Sequence, residues 1–330
     1  MTTAVSDTRA SELLAVPVEQ RDLGWLQRSL QVAAELELFT LPPYFCGQWS
    51  ANDVSSTIQR ITFDEMGHLG LALNLLVAVG GTPTVATRPP VYPGPLPGGL
   101  MPGLTVPLRG LTKDYLGAFM QIEHPGASPL TPPPPEPSIA TFYQAIYAAI
   151  EAVNPTISTA RQLESFIGVV IVETVDDARA ALDRLRDEGE GTTEVPNLGE
   201  DRLPHYYRFA EIFHGKTLVE VDGALKFAGE PVEFTALPMA PVPAGGWPNP
   251  SAEVKALLDR FDRTFSSLLN HLQRAWGHGD SDALDSAVAN MRFLRGPASD
   301  LMEIPLPGGG GNYGPQFRYL GPDVVVDPFS

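Results

Sequence analysis

Glu65 and His68 stand three residues apart inside an otherwise apolar helical run, Thr57 to Val79. Residues three or four apart on an α-helix share a face. Ile58, Ile61, Glu65, His68, Leu69, Ala72 and Leu76 therefore form one stripe, with a carboxylate and an imidazole in its middle. An unpaired charge is costly to bury, so this pair needs a partner that offsets its lost hydration. A metal ion meets that need, since Glu-x-x-His projecting into a helical bundle is a recurring metal half-site. On a solvated helix face the same spacing binds nothing. The apolar stripe is what separates the two readings.

A half-site calls for acids from other helices. Positions 30, 33, 34, 37, 41 and 44 are Leu, Ala, Ala, Glu, Leu and Tyr, so Glu37 sits within an apolar face. The stripe of Glu35 includes Arg28 and Gln31 and reads as solvent-facing. Glu123 shares a face with Leu116, Phe119 and Met120, against the blander reading of a helix-end acid reaching water before His124-Pro125. His205 shares a stripe with Phe209 and Ile212, where a lone histidine is more often a hydrogen-bonded core residue than a ligand. Glu190, between glycines in Glu188-Gly-Glu-Gly191, is a weaker candidate and resembles a solvated loop acid. Carboxylates with one or two imidazoles suit iron or manganese better than a thiolate metal.

The chain contains no Walker loop, dinucleotide fingerprint, haem-attachment motif or Gly-x-Ser-x-Gly elbow, and the Gly308–Gly311 run lacks the Lys-Ser/Thr of a phosphate cradle. A formal charge of −17 argues against nucleic acid or an anionic membrane as a partner. The single cysteine, Cys46, excludes an internal disulfide framework and reads as a buried thiol. The first residues lack a basic start and a long apolar segment, and the most apolar stretch, Leu69 to Val79, is too short to span a bilayer. These features predict a cytoplasmic protein.

The elements that must position these residues are mainly helical. Residues 1–20 read as a tail and 21–330 as one domain. A first helix is predicted from Leu23 to Gln48, interrupted at Pro42-Pro43, because proline removes a donor and clashes with the preceding turn. The second starts near Asn52-Asp53 and ends at Gly80-Gly81. A Pro/Gly-rich passage from Thr82 to about Gly110 reads as an ordered covering loop. Helices follow over Thr112–Glu123 and Ser138–Val153, separated by the proline cluster Pro132–Pro137. Gly168 to Glu173 reads as a buried strand or extended segment, then Thr174-x-x-Asp177 opens a capped helix reaching Asp187. A short helix over Leu203–Phe213 precedes a hairpin, about 217–234, turning at Asp222-Gly223. Two more helices, Ala252–Trp276 and Asp282–Met302, complete the chain.

Several segments taken in order carry a resemblance. They are Ala34-Glu-Leu-Glu-Leu-Phe-Thr-Leu-Pro-Pro-Tyr44, Asp64-Glu-Met-Gly-His68, Phe119-Met-Gln-Ile-Glu-His-Pro125, Glu188-Gly-Glu-Gly191 and His205-Tyr-Tyr-Arg-Phe209. Together they resemble the ferritin-like domain of the iminophenyl-pyruvate dimer synthase type, associated with bis-indole pigment biosynthesis such as the violacein pathway. The resemblance covers roughly residues 20 to 320. It implies a ferritin-like helical bundle with long proline-rich loops, extra helices and a small hairpin, around a carboxylate centre holding one or two iron ions. It supports Glu37, Glu65 and His68 as ligands, with Glu123, His205 and, more weakly, Glu190. Two departures stand out: Thr141 where an acid is expected, and Arg202 three residues before His205, where the bundle pattern wants a second Glu-x-x-His.

These readings predict an iron-dependent (or manganese-dependent) oxidase or oxygenase of natural-product biosynthesis, acting on a small, amino-acid-derived or aromatic substrate. Asp64 is placed to orient His68 or a neighbouring ligand. Loops 82–108 and 126–137 are expected to roof a pocket drawing on Phe39, Tyr44, Phe45, Phe142 and Tyr143. A homodimer or a biosynthetic-enzyme partner is among the expectations. The alternatives are a non-catalytic metal-binding scaffold and, more remotely, a metal-independent enzyme using His68 or His205 as general base.

Overall fold

The computed structural model describes residues 9–126, 128, 130–165, 167–189 and 203–326. In chain order the helices are α1 (Ala10–Leu14), α2 (Leu23–Ser50), α3 (Ser55–Ala78), α4 (Lys113–Ile122), α5 (Ile139–Val153), α6 (Val175–Glu188), α7 (His205–His214), α8 (Ala252–His278) and α9 (Ser281–Glu303). Two small antiparallel pairs accompany them: β1 (Gly94–Pro95) with β2 (Thr105–Val106), and β3 (Lys216–Val221) with β4 (Ala224–Pro231). The predicted mainly helical class is what the structure has.

Two long helix pairs form the body, α2 with α3 and α8 with α9, with α9 against α2 and α8 against α3. Helices α5 and α6 pack together, α5 reaching α2 and α6 reaching α3, while α4 pairs with α7. Every residue from Leu36 to Ala51 is buried, so the second half of α2 is the spine of the core. Among the described residues, no helix is long and apolar enough to cross a membrane.

The interruption expected at Pro42-Pro43 is absent, and α2 runs through both prolines. Pro43 cannot donate to the carbonyl of Phe39, four residues earlier. The Tyr92 hydroxyl donates to that carbonyl instead, at 2.6 Å, with its ring against Phe39 at 4.7 Å between centroids. The start of α3 also differs. Asn52 and Asp53 do not cap it but bind Thr235, the Asp53 carboxylate accepting from its amide at 3.1 Å. The far end matches the glycine signal: Gly80 takes φ 78°, its N–H meets the Val77 carbonyl, and the Gly81 N–H meets that of Leu76.

No strand forms between Gly168 and Glu173, apart from an isolated bridge of Val169 to Ser165. Side chains replace a neighbouring strand here. Gln162 accepts from the Val172 amide and donates to its carbonyl, both at 2.7 Å, and Asn74 donates to the Val170 carbonyl at 2.8 Å. Two glycines of α3 let this segment approach. A Cβ at Gly67 would lie 2.5 Å from the Ile167 carbonyl oxygen, and one at Gly70 2.3 Å from Val169 Cγ2.

Other local signals are realised. Thr174 and Asp177 form a capping box at α6, and Ser138 with Thr141 forms another at α5. Asp222 and Gly223 both take positive φ, 55° and 75°, as a tight hairpin turn requires. Within the stretch read as a tail, α1 buries Ala10 and Leu13, and Trp25 Nε1 donates to the Leu13 carbonyl. Loop 82–108 packs on α2 through Tyr92 and Leu96. Cys46 is fully buried, which pushes its thiol pKa up, as suits a structural residue.

Candidate metal centre

The stripes read from the sequence converge. Glu37 lies midway along α2, and Glu65 and His68 lie one turn apart on α3. Glu123 is the C-cap of α4, and His205 is the first residue of α7, after Pro204. All five are buried, none more than 6% exposed.

Glu65 is the hub. Its Oε1 lies 3.3 Å from His68 Nδ1 and 2.9 Å from His205 Nδ1. Its Oε2 accepts from the Thr40 hydroxyl at 2.8 Å. On one side His68 Nδ1 lies 3.8 Å from Glu37 Oε2, and on the other His205 Nδ1 lies 3.6 Å from Glu123 Oε2. The Tyr143 hydroxyl donates to Glu37, and that of Tyr44 to Glu123.

Each imidazole is braced from behind. His68 Nε2 meets Glu188 Oε2 at 3.0 Å, and Glu188 is held by Arg184 Nε at 3.0 Å. His205 Nε2 meets Asp64 Oδ2 at 3.2 Å, and Asp64 is held by Arg208 Nη1 at 3.1 Å. The two halves therefore match part for part: tyrosine, acid, imidazole, acid, arginine, with Glu65 shared. An acceptor at Nε2 fixes the proton there in a neutral ring and leaves the Nδ1 lone pair facing Glu65.

The electrostatics show what such a cluster demands. Burial, then the charge of Glu65, pushes Glu37 up to about 8 despite His68 and the Tyr143 hydroxyl. Burial and Glu65 also raise Glu123. Glu65 goes the other way: burial opposes its ionisation, yet hydrogen bonds from His205 and His68 hold it well below the usual range. Burial disfavours charge on His68, but Glu188, Glu65 and Glu37 together raise it to about 10. His205 rises well above its ordinary value against the same burial, through Asp64, Glu123 and Glu65. Without an ion, protons supply the positive charge that three buried acids require.

The donor set fits a cation. One ligand atom each from Glu65, His68 and His205 lie within 4.8 Å of one another. His205 Nδ1 is fully buried and lies 2.9 Å from Glu65 Oε1, yet makes no hydrogen bond of good geometry, the kind of orphaned buried atom that a cation would satisfy. Carboxylate oxygens with two imidazole nitrogens and no thiolate suit iron or manganese. Beside them lies a cavity of about 30 Å³, lined by Leu36, Ile122, Ile139 and Leu185 together with the acids and His68.

The structure brings together Glu37, Glu65, His68, Glu123 and His205. Glu190 and Arg202 lie outside the described residues. Asp64 orients His205 rather than His68. None of the described residues of loops 82–108 and 126–137 lines the 30 Å³ cavity, so the expected roof is not built from them. Of the expected pocket aromatics, Tyr44 and Tyr143 touch carboxylates, whereas Phe39 packs tilted against Tyr92, Phe45 stacks on Trp49, and Phe142 does not line the cavity. Thr141 is spent on the α5 capping box, where its hydroxyl bonds Glu136 at 2.7 Å. Sequence reasoning missed Thr40, Arg184, Arg208 and above all Glu188. Thr40, Glu188 and Arg208 do fall inside segments that carry the resemblance, and Arg184 stands four residues before Glu188, but none of these signals singles out a role.

Comparison with known proteins bears on the fold. No curated protein matches the chain. Among solved structures, a ferritin-like protein from Caulobacter vibrioides shares 21% identity at a TM-score of 0.63, over 89% of this chain and 97% of its own, a likeness of fold. A family model described as ferritin-like matches residues 30–214, more than half the chain and a span that holds all five clustered residues. The chain belongs to the ferritin-like family.

Proposed function

We propose that this protein is a non-haem iron oxidase or oxygenase acting on a small organic, amino-acid-derived or aromatic, intermediate of natural-product biosynthesis. The observation that carries the reading is the Glu65 hub: two braced imidazoles and two further buried acids converge on one carboxylate. Glu37, His68 and Glu65 would hold one ion, and Glu123, His205 and Glu65 a second, with manganese as the alternative metal. Iron bound there supplies redox chemistry with O₂ or peroxide. The protein's own groups do the rest. Tyr143 and Tyr44 fix the outer acids, Thr40 fixes Glu65, the Arg–acid pairs fix the imidazole tautomers, and the apolar lining limits water. The resemblance to the iminophenyl-pyruvate dimer synthase type supports the substrate class.

One observation favours a second reading, a non-catalytic metal-binding partner of a biosynthetic enzyme. The 30 Å³ cavity has room on the order of two waters and not for an aromatic substrate. The test is elemental analysis of protein purified without added metal, then anaerobic Fe(II) followed by O₂. The oxidase reading expects bound iron, a ferric absorption band and O₂ uptake that rises with aromatic amino-acid derivatives. Iron oxidation that no organic substrate accelerates leaves the partner reading. Absence of bound iron or manganese, with unchanged stability on adding either, sinks both.

A further inference from the structure

On the other flank of the α2–α3 pair lies a larger cavity, about 340 Å³, walled by α2, α3, α9 and Ile167. It shares no lining residue with the cavity at the carboxylate cluster. Its volume falls in the range of roughly 300–1,000 Å³ typical of small-molecule sites.

The floor is aromatic. Phe45 and Trp49, 7% and 8% exposed, stack on each other with centroids 4.8 Å apart, and Trp49 stacks in turn on Phe317, so the wall they give the cavity is aromatic and rigid. Met66 and Met291 add polarizable walls that adapt to a planar guest.

A polar group waits at the same depth. Gln48 is 5% exposed, and its amide touches one partner, the Thr62 hydroxyl at 3.1 Å. That hydroxyl has a single proton and already reaches the Gln59 and Ile58 carbonyls, so the amide can turn either end toward it. Whichever end remains has no hydrogen-bond partner among the described residues. A buried amide left half-satisfied in a cavity wall is what a ligand's polar atom would complete.

The mouth is cationic on a strongly acidic protein. Arg292 and Arg295, three apart on α9 and both exposed, stand at the rim beside the exposed Phe63. Arg295 makes no hydrogen bond or ion pair among the described residues. Against a formal charge of −17, the guanidinium of Arg295 over an apolar pocket favours an anion.

We propose that this cavity is a binding site for an aromatic carboxylate, its ring packed against Phe45, Met66 and Met291, its carboxylate at Arg295 on the rim, and a polar substituent at Gln48. The site is separate from the metal centre and does not depend on the metal reading.

The experiment is calorimetric titration of the full chain with 2-naphthoate, and with uncharged 2-naphthalenemethanol as control. Naphthoate is expected to bind one site per chain, at least about tenfold tighter than the alcohol. Arg295→Gln with Arg292→Gln removes that preference and leaves the alcohol's affinity unchanged. Met291→Trp fills the cavity and abolishes both. Glu65→Ala, which disables the metal centre, changes neither. The proposal is overturned if naphthoate does not bind at millimolar concentration, if the double arginine variant binds it as the parent does, or if Glu65→Ala abolishes binding. The arginines are exposed, so their variant decides the matter even where Met291→Trp does not fold.

Discussion

His68 and His205 lie with ring centroids 5.5 Å apart and planes within 27°, each directing Nδ1 to the same oxygen of Glu65. Neither ring is placed by its backbone alone. Each is held from behind by an acid that is itself held by an arginine. Removing the acceptor, through Asp64→Ala or Glu188→Ala, is expected to weaken iron or manganese retention by about 10–100-fold. Competition with a chromogenic chelator measures it. Asp64→Asn, which keeps an acceptor oxygen, should recover part of the loss. Equal retention by Asp64→Ala and the parent would show that the braces do not orient the ligands.

The proton balance of the fold has a separate contributor on α8, outside the Glu65 cluster. Asp262 is buried, and burial raises its carboxyl to about 6 from 3.8, although Gln316 Nε2 and the Arg318 amide both donate to it. A raised carboxyl binds its proton more tightly in the folded state. Its stabilising contribution is therefore complete below 3.8 and is lost as pH rises through about 6. Two units correspond to about 3 kcal/mol. Asp262→Asn should be more stable than the parent at neutral pH by up to that amount, with a flatter stability profile across this window. Denaturant midpoints at a series of pH values test it, and parallel profiles for variant and parent would refute the assignment.

The proline pair in α2 gives a coupled test. Tyr92→Phe leaves the Phe39 carbonyl without its 2.6 Å donor, at an expected cost of about 1–3 kcal/mol. In a Pro43→Ala background an amide becomes available one turn away, so the same tyrosine change should cost less. A double-mutant cycle in urea reads the difference. Strict additivity would show that the hydroxyl does not substitute for the missing helical donor.

Asn74 closes a network in the middle of the core. It is fully buried, donates to the Leu163 and Val170 carbonyls at 2.8 Å, and accepts from the Leu163 amide at 3.0 Å and Trp276 Nε1 at 2.7 Å. Asn74→Leu keeps the branched shape but adds bulk and strands four partners, and should destabilise by roughly 3 kcal/mol or more. A thermal shift within error of the parent would contradict this.

The helical core of the site was readable because periodicity survives burial. Glu37, Glu65, His68 and Glu123 each interrupt an apolar stripe, and such an interruption is visible without coordinates. Glu188 was not readable. It ends a helix rich in charged residues, and only the docking of α6 against α3 turns one of those acids toward His68. Pro42-Pro43 misled for the opposite reason. The local rule was sound, but a tyrosine from a distant loop supplied the donor that proline lacks. The apolar run after Gly168 suggested a strand, yet Gln162 and Asn74 meet its backbone groups in place of a neighbouring chain. Long-range replacement of short-range partners is the common thread in these misses.

Glu37 and His205 come from opposite ends of the family span, yet His205 meets Glu65 directly and Glu37 meets it through His68. Ions held on either side of Glu65, one by Glu37 and His68 and one by Glu123 and His205, would work as reversible cross-links: they close long loops that only the folded chain closes for free. Filling the centre should thus raise the unfolding temperature in proportion to the logarithm of free metal, with no change of architecture. In a starved cell, scarcity of the metal would be felt first as a shorter-lived protein.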